Sequence, residues 1–346
     1  MTAHDVSPPA SQTPYAELTP LLVLDALDSV GLRGDGRLLQ LNSYENRVFQ
    51  VFLEDGSVVV AKFYRPGRWT DEQILEEHAF TAELAEEEIP VVAPLVLHAD
   101  PSSSLVTTLR GNPSTLACLT RGAEEHRFAV APRRAGRAPS LENPADLEWI
   151  GRFIGRMHAV GARRPFEHRM TQSVASVGRA SRDWVLEHGD LPPELLPLWK
   201  DAADRALDLA QAAFDRLGTL ATIRVHGDCH VGNLLWTDAG PHFVDLDDAL
   251  NAPAVQDLWM LLSGDGTASR AQVRALLGGY EAFREFDDRE LTLVEPLRTL
   301  RMIYHSAWLA KRWRDPAFPA AFPWFGTTAY WQEQVQLLRE RAEPDA

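Results

Sequence analysis

Apolar and polar positions change their period several times along the chain, and the changes mark its elements. Residues 1 to 14, MTAHDVSPPASQTP, mix Pro, Ser, Thr and Ala without a period and read as a flexible tail. A first helix is expected near Ala16 to Val30. From Arg47 the chain reads VFQVFL, EDG and SVVVAKFY, two strand-like runs around an Asp-Gly turn, which predicts a β-hairpin. TDEQ at Thr70 to Gln73 has the reciprocal Thr and Gln of a capping box, and helical spacing runs on to about Glu87 before Pro90 stops it. Short apolar runs follow at Val91 to Leu97, Leu105 to Leu109 and Phe128 to Ala131. Between the last two, Arg110 to His126 is polar, with strand character only at Leu116 to Leu119, and is expected to be a loop or hairpin insertion.

Past Pro132 the pattern turns helical, with Leu147, Ile150, Ile154 and Met157 at steps of three and four. One segment interrupts it. From Ile223 to Asp248, IRV, LLW and HFVDL are short strand signals around a knot of His, Asp and Asn. Helices resume at Pro253, including an amphipathic run through Leu297, Leu300, Ile303, Tyr304, Ala307 and Trp308. The expected organisation is α+β in two parts after the tail: a sheet-rich lobe over 15–131 with one helix, and a larger, mostly helical lobe over 132–346.

Composition agrees with two globular lobes, since 346 residues exceed a comfortable single core while 45% hydrophobic and 24% charged residues are ordinary for a folded protein. The charge narrows the partners. A net −15 leaves no basic footprint for nucleic acid. No run approaches the roughly eighteen apolar residues of a membrane span. Two cysteines, Cys118 and Cys229, make no disulfide framework, and the N-terminus has neither a charged start nor an apolar core, so the cytoplasm is the expected compartment.

The densest polar cluster is HGDCHVGN at His226 to Asn233, followed twelve residues later by Asp245 in FVDLDD. Two carboxylates and an Asn carbonyl are hard oxygen donors suited to Mg²⁺. The zinc alternative, from His226, Cys229, His230 and His242, is weaker, because the adjacent Cys229 and His230 fit no usual ligand spacing. The order His, one residue, Asp, four residues, Asn is that of a kinase catalytic loop, in which Asp accepts the hydroxyl proton and Asn holds Mg²⁺. Asp228 and Asn233 fit those roles, and Asp245 stands where a kinase keeps its other metal-binding Asp, although Leu246 and Asp247 follow it rather than Phe-Gly.

The first lobe supplies matching parts. VVVAK puts Lys62 on a strand, as required of the lysine that holds the ATP α- and β-phosphates; a snorkelling surface lysine is the plainer alternative for the residue taken alone. Its orienting glutamate is expected to be Glu77, which lies three residues from Ile74 and from Phe80 on the apolar stripe, whereas Glu76 shares a face with Glu72 and Glu83. The phosphate loop departs from the glycine-rich pattern: LNSYENRVF has no glycine between Gly36 and Gly56, and the Ser43 hydroxyl is its candidate donor.

The segments LNSYENRVFQV, VAKFYRPGRWTDEQILEEHAF, HGDCHVGNLLW, FVDLDDALNAPAVQDLWMLL and DPAFPAAFPWF closely resemble the stress response kinase A family, of the aminoglycoside phosphotransferase-like branch of the protein-kinase-like fold. The resemblance implies a cytoplasmic, ATP- and Mg²⁺-dependent Ser/Thr protein kinase that phosphorylates protein hydroxyls and itself and protects cells under stress. It also implies Asp228 as proton acceptor, Asn233 and Asp245 as Mg²⁺ ligands and active-site support, Ser43 and Lys62 as ATP contacts, and Asp257 as a brace on the catalytic loop. An adenine-holding hinge is expected at Phe128 to Ala131, and a monomer is expected. Cys229, His230 and His242 are given packing or hydrogen-bonding roles. Two other readings stay open: a small-molecule kinase of the aminoglycoside, choline or homoserine type, and a non-catalytic ATP-binding module.

Overall fold

The computed structural model describes residues 14–263 and 266–342, without the side chains of 266–268. All but the last residue of the expected tail lies outside the described residues. The chain forms two compact units: the first comprises the described residues up to His78, Ala93–Arg133 and Arg314–Ala321, and the second Ala79–Val92, Arg134–Trp313 and the described residues from Phe322 on.

In the first unit, α1 (Pro20–Asp28) starts later than the apolar stretch suggests. The Thr19 hydroxyl accepts from Leu22 N at 3.3 Å, and Pro20 occupies the first turn, where its missing N–H loses no hydrogen bond. The strands β1 (Gly34–Leu41), β2 (Arg47–Leu53) and β3 (Val58–Phe63) form an antiparallel meander. The first of them has no sequence signature, because GDGRLLQL buries none of its side chains fully and its register shifts between Gly34 and Leu38. The predicted hairpin is present, with Gly56 at φ +83° in its turn.

The capping box also forms: Thr70 N donates to Gln73 Oε1 at 3.0 Å, Gln73 N to Thr70 Oγ1 at 3.3 Å, and α2 (Asp71–Glu86) follows. After it come β4 (Val106–Thr108), β5 (Ala117–Arg121) and β6 (Glu124–Pro132), giving a six-stranded sheet of order β1-β2-β3-β6-β5-β4. Thus much of 110–126 is sheet, with Ala117 to Arg121 paired along the start of β6. One face of the sheet packs Phe49, Val51, Val59, Ala61, Phe63, Phe128 and Val130 against Leu22, Val23, Ala26 and Leu27 of α1. The other face packs Tyr64, Leu116 and Ala129 with Ile74 of α2.

The second unit is mostly helical. Its α3 (Pro144–Gly161) buries Leu147, Ile150, Ile154 and Met157, the positions that its spacing singles out. Two further helices, α4 (Ala180–His188) and α5 (Leu196–Leu217), precede β7 (Ile223–Val225), the hairpin of β8 (Leu234–Thr237) with β9 (Gly240–Phe243), and β10 (Leu250–Ala252), which pairs antiparallel with β7. Then come α6 (Gly266–Tyr280) and α7 (Val294–Arg312). Backbone contact between α3 and α6 is close enough that a Cβ at Gly151 would lie 2.0 Å from Leu276 O. Arg314–Ala321, with the short α8 (Ala317–Ala321), belongs to the first unit, and α9 (Thr328–Arg341) to the second. No helix among the described residues is long and apolar enough to cross a membrane.

Candidate active site

In the second unit, β7 is wholly buried and delivers the chain into the polar loop His226–Asn233. A buried carboxylate shapes the entry: His226 N donates to Asp257 Oδ2 at 2.7 Å and Gly227 N to Asp257 Oδ1 at 2.8 Å. Asp257 Oδ2 also lies 3.0 Å from His158 Nε2, whose Nδ1 lies 3.1 Å from the Tyr280 hydroxyl. This is the bracing geometry that the family resemblance implies for Asp257. Gly227 sits at φ +85°, and a Cβ there would lie 2.1 Å from Asp248 O, so only glycine fits without a shift.

The loop ties Asn233 to Asp228, and its backbone meets the chain one residue before Asp245. Asn233 Nδ2 donates to Asp228 O at 2.9 Å, and Val244 N donates to Asn233 O at 3.0 Å, which ties the loop to the backbone just before Asp245. His226 accepts from Asp228 N through Nδ1 at 3.4 Å, so its Nε2 carries the proton and donates to Val244 O at 3.0 Å. Asp245 is exposed and left-handed, at φ +62° and ψ +61°, a conformation that Asp tolerates better than most residues and that ends the expected strand at Phe243. Behind it, Arg169 Nη1 donates to Asp247 O at 2.6 Å and Ala249 O at 3.0 Å.

The Asp228 carboxylate is held from two sides. Its Oδ1 is 2.9 Å from Arg301 Nη2 on α7, and its Oδ2 is 3.5 Å from His230 Nε2. His230 Nδ1 accepts from Gly232 N at 2.9 Å, which leaves the Nε2 proton facing Asp228. Burial pushes the Asp228 carboxyl up, but the His230 hydrogen bond and the charge of Arg301 outweigh it and hold the group at about 2. It is therefore ionised at neutral pH. Arg301 has no signal in the sequence, since TLRMIYH reads as part of an ordinary amphipathic helix. His230 does hydrogen-bond as expected, and it faces Asp228 as well.

The donor chemistry fits a divalent cation. With its Nδ2 committed to Asp228, Asn233 keeps Oδ1 as an acceptor, and the exposed Asp245 adds a carboxylate, both hard donors of the kind Mg²⁺ takes. Three of the four side chains of the zinc alternative are disposed otherwise. Both ring nitrogens of His226 are spent on backbone, His230 Nδ1 caps a turn, and burial pushes the thiol of Cys229 well above its ordinary value. Among the described residues, no three His, Cys, Asp or Glu side chains are grouped to hold a metal.

The first unit holds Ser43, Lys62 and Glu77. Lys62 stands on β3 opposite Val48 and Ala129, with Nζ 5.8 Å from the centroid of the Tyr64 ring. It belongs to the face away from Ala61 and Phe63, the face that packs toward α2. Glu77 is 6% exposed whereas Glu76 is only half-buried, as the apolar stripe predicts. Ser43 lies between β1 and β2, where its Oγ accepts from Asn46 N at 3.3 Å. The expected hinge needs correction. Phe128 to Ala131 are the interior of β6, paired with β3, with Phe128 and Val130 fully buried and Val130 O accepting from Leu95 N at 2.7 Å; no linker begins before Pro132.

The α+β fold and the family match together define a phosphotransferase of the kinase-like kind. The chain belongs to the Phosphotransferase enzyme family, whose model matches residues 37–294, and within it to the stress response kinase A family. It is 42% identical over 329 residues to "Stress response kinase A" of Escherichia coli, covering 95% of this chain and 94% of the relative. It is 40% identical over the same length to "Serine/threonine protein kinase RdoA" of Salmonella typhimurium, with the same coverage. Solved structures show the fold: an amicoumacin kinase in complex with AMP-PNP, Ca²⁺ and Ami superposes with TM-score 0.70 at 18% identity, covering 93% of this chain and 92% of that one. A spectinomycin phosphotransferase in complex with ADP and its antibiotic reaches 0.62 at 13% identity, covering 93% and 98%.

Proposed function

We propose that this protein is an ATP- and Mg²⁺-dependent Ser/Thr protein kinase that also phosphorylates itself and serves stress protection in the cytoplasm, acting as a monomer. The reading rests most on one observation, the tie of Asn233 to Asp228 in a loop bonded to Val244 just before the left-handed Asp245, while Arg301 and His230 keep Asp228 charged. The protein acceptor is favoured by the name of a relative at 40% identity, a serine/threonine protein kinase.

In this reading Asp228 takes the proton of the acceptor hydroxyl as its oxygen bonds to the γ-phosphorus; the bond from that phosphorus to the β,γ-bridging oxygen breaks, and ADP leaves with the electron pair. Asn233 Oδ1 and the Asp245 carboxylate are the ligands for Mg²⁺, which when bound offsets charge on the phosphate oxygens. Lys62 steadies the α- and β-phosphates, Glu77 orients Lys62, and the Ser43 hydroxyl donates to phosphate. Residues 15–131 then form the nucleotide-binding lobe and 132–346 the catalytic and substrate lobe.

The test is incubation with γ-labelled ATP and Mg²⁺, alone, with a generic protein acceptor, and with a panel of small hydroxyl compounds. Label is expected on protein, and Asp228→Asn is expected to lower it by about 10² to 10⁴-fold. Label on a small molecule instead would make it a metabolite or antibiotic kinase, and full labelling by the variant would remove Asp228 from the chemistry.

A further inference from the structure

A loop that covers phosphate must hold its backbone still, and Asn42 to Asn46 has no glycine with which to do so. An arginine outside the loop holds it. Arg65, just past β3, donates through Nε to Glu45 O at 3.0 Å and through Nη2 to Tyr44 O at 3.2 Å, and its own backbone N donates to Asn46 Oδ1 at 3.1 Å. The Glu45 carboxylate returns to Arg65 Nε at 3.2 Å. Glu45 O also accepts from the Tyr15 hydroxyl at 3.2 Å.

Arg65 is in turn fixed by the far end of the chain, 250 positions away. Asp315 Oδ2 lies 2.8 Å from Arg65 Nη2, and the other oxygen, Oδ1, accepts from Ala317 N at 3.1 Å, so both carboxylate oxygens are committed. The side chains of Arg65 and Asp315 are only 10% and 6% exposed, which makes this pair far less screened than a surface ion pair. Phe318 on α8 is fully buried, 5.4 Å from the Arg65 guanidinium and edge-on to the Tyr44 ring at 6.4 Å.

We propose that Arg65 and Asp315 are positioning residues for the nucleotide phosphates: the segment Arg314–Ala321 is a clamp that sets the Ser43 loop through Arg65, doing from outside what glycine geometry and local amides do in a glycine-rich loop. The proposal rests on the reading of that loop as the phosphate loop. An arginine reaching two successive carbonyls fixes the loop's path, and a charged partner at 2.8 Å fixes the arginine. The DPAF segment is thereby part of the nucleotide site without touching nucleotide.

The test uses the full chain and two readouts, equilibrium binding of a fluorescent ATP analogue and amide hydrogen exchange. In Asp315→Asn, which keeps the oxygen that caps Ala317 but loses the charge, the dissociation constant is expected to rise about tenfold, as for loss of one buried charge-assisted contact. Exchange is expected to quicken at 42–46 while β2 and β3 stay protected, and Asp315→Glu is expected to recover part of the affinity. If Asp315→Asn unfolds the unit, Arg65→Lys decides, because lysine keeps the charge but cannot span both carbonyls. Unchanged affinity and unchanged exchange at 42–46 in Arg65→Lys would overturn the clamp. Absence of nucleotide binding by the parent protein would instead overturn the kinase reading, and the clamp with it.

Discussion

Two loops carry the proposed chemistry, and different groups hold them. In His226–Asn233 a carboxylate takes the backbone amides: Asp257, backed by His158, accepts from His226 N and Gly227 N, while Arg301 holds Asp228. Asn42–Asn46 is set by Tyr15, Arg65 and, through Arg65, Asp315. The contrast teaches that a carboxylate holding amides and a guanidinium holding carbonyls can each fix a loop that no local motif fixes alone. Damage to the first loop should come from losing the buried carboxylate, and damage to the second from losing the guanidinium or the Asp315 that holds it.

The largest expected effect is at Asp257. Its carboxylate is fully buried and accepts from His226 N, Gly227 N and His158, so Asp257→Ala strands two backbone donors and a histidine at once. A loss of about 3–5 kcal/mol in urea unfolding is expected, as for breaking a buried charged network, together with loss of phosphoryl transfer. A loss below about 1 kcal/mol would mean that the loop is held by something other than this brace.

Next in size is a dependence on pH one step behind that brace. Glu290 is 5% exposed and accepts from Val255 N at 2.8 Å, fixing the 3-10 turn Ala254–Asp257 that carries Asp257. Burial, with the nearby Asp287 charge, pushes its carboxyl from 4.5 up to about 7 against the opposing pull of the Val255 amide and Arg284. Between those two values the folded protein keeps a proton that the unfolded chain gives up, so this contribution is fully present below about 4.5 and lost as pH rises through about 7. The loss is at most about 3 kcal/mol. Glu290→Gln has nothing to titrate and keeps an acceptor for Val255; its unfolding free energy should be flatter than the parent's from pH 5 to pH 8, and higher at pH 8. Parallel pH profiles for the two proteins would remove Glu290 from the brace.

Distance along the chain explains what was legible in the sequence. The hairpin around Gly56, the Thr70 and Gln73 box, the stripe that chose Glu77 and the spacing of Asp228, Asn233 and Asp245 all follow from neighbours a few residues apart, where period and turn chemistry operate. What stayed hidden depends on tertiary pairing. β1 is an edge strand without alternation, and the expected hinge proved to be strand interior because β3 pairs with it, whereas the hairpin expected within 110–126 is present as β5 against β6. Arg301 is ordinary on its helix and meets Asp228 only in the fold, and Asp315 likewise meets Arg65 only there.

The smallest expected effect discriminates most finely between the two loops. Ser43 Oγ accepts from Asn46 N at a long 3.3 Å, and the neighbouring carbonyls of Tyr44 and Glu45 are held by Arg65 whether or not that hydroxyl is present. Ser43→Ala should therefore leave the loop's path unchanged and remove only what the hydroxyl gives to phosphate, about 0.5–1.5 kcal/mol, or a two- to tenfold rise in KM for ATP. The melting temperature and the hydrogen exchange of 42–46 should stay at parent values. If Ser43→Ala instead quickened exchange across the loop as much as Asp315→Asn does, the loop would be organised from within by its own hydroxyl, and the contrast between carboxylate and guanidinium would fall. If it left KM untouched while Asp315→Asn raised it, phosphate would be met by the clamped backbone alone.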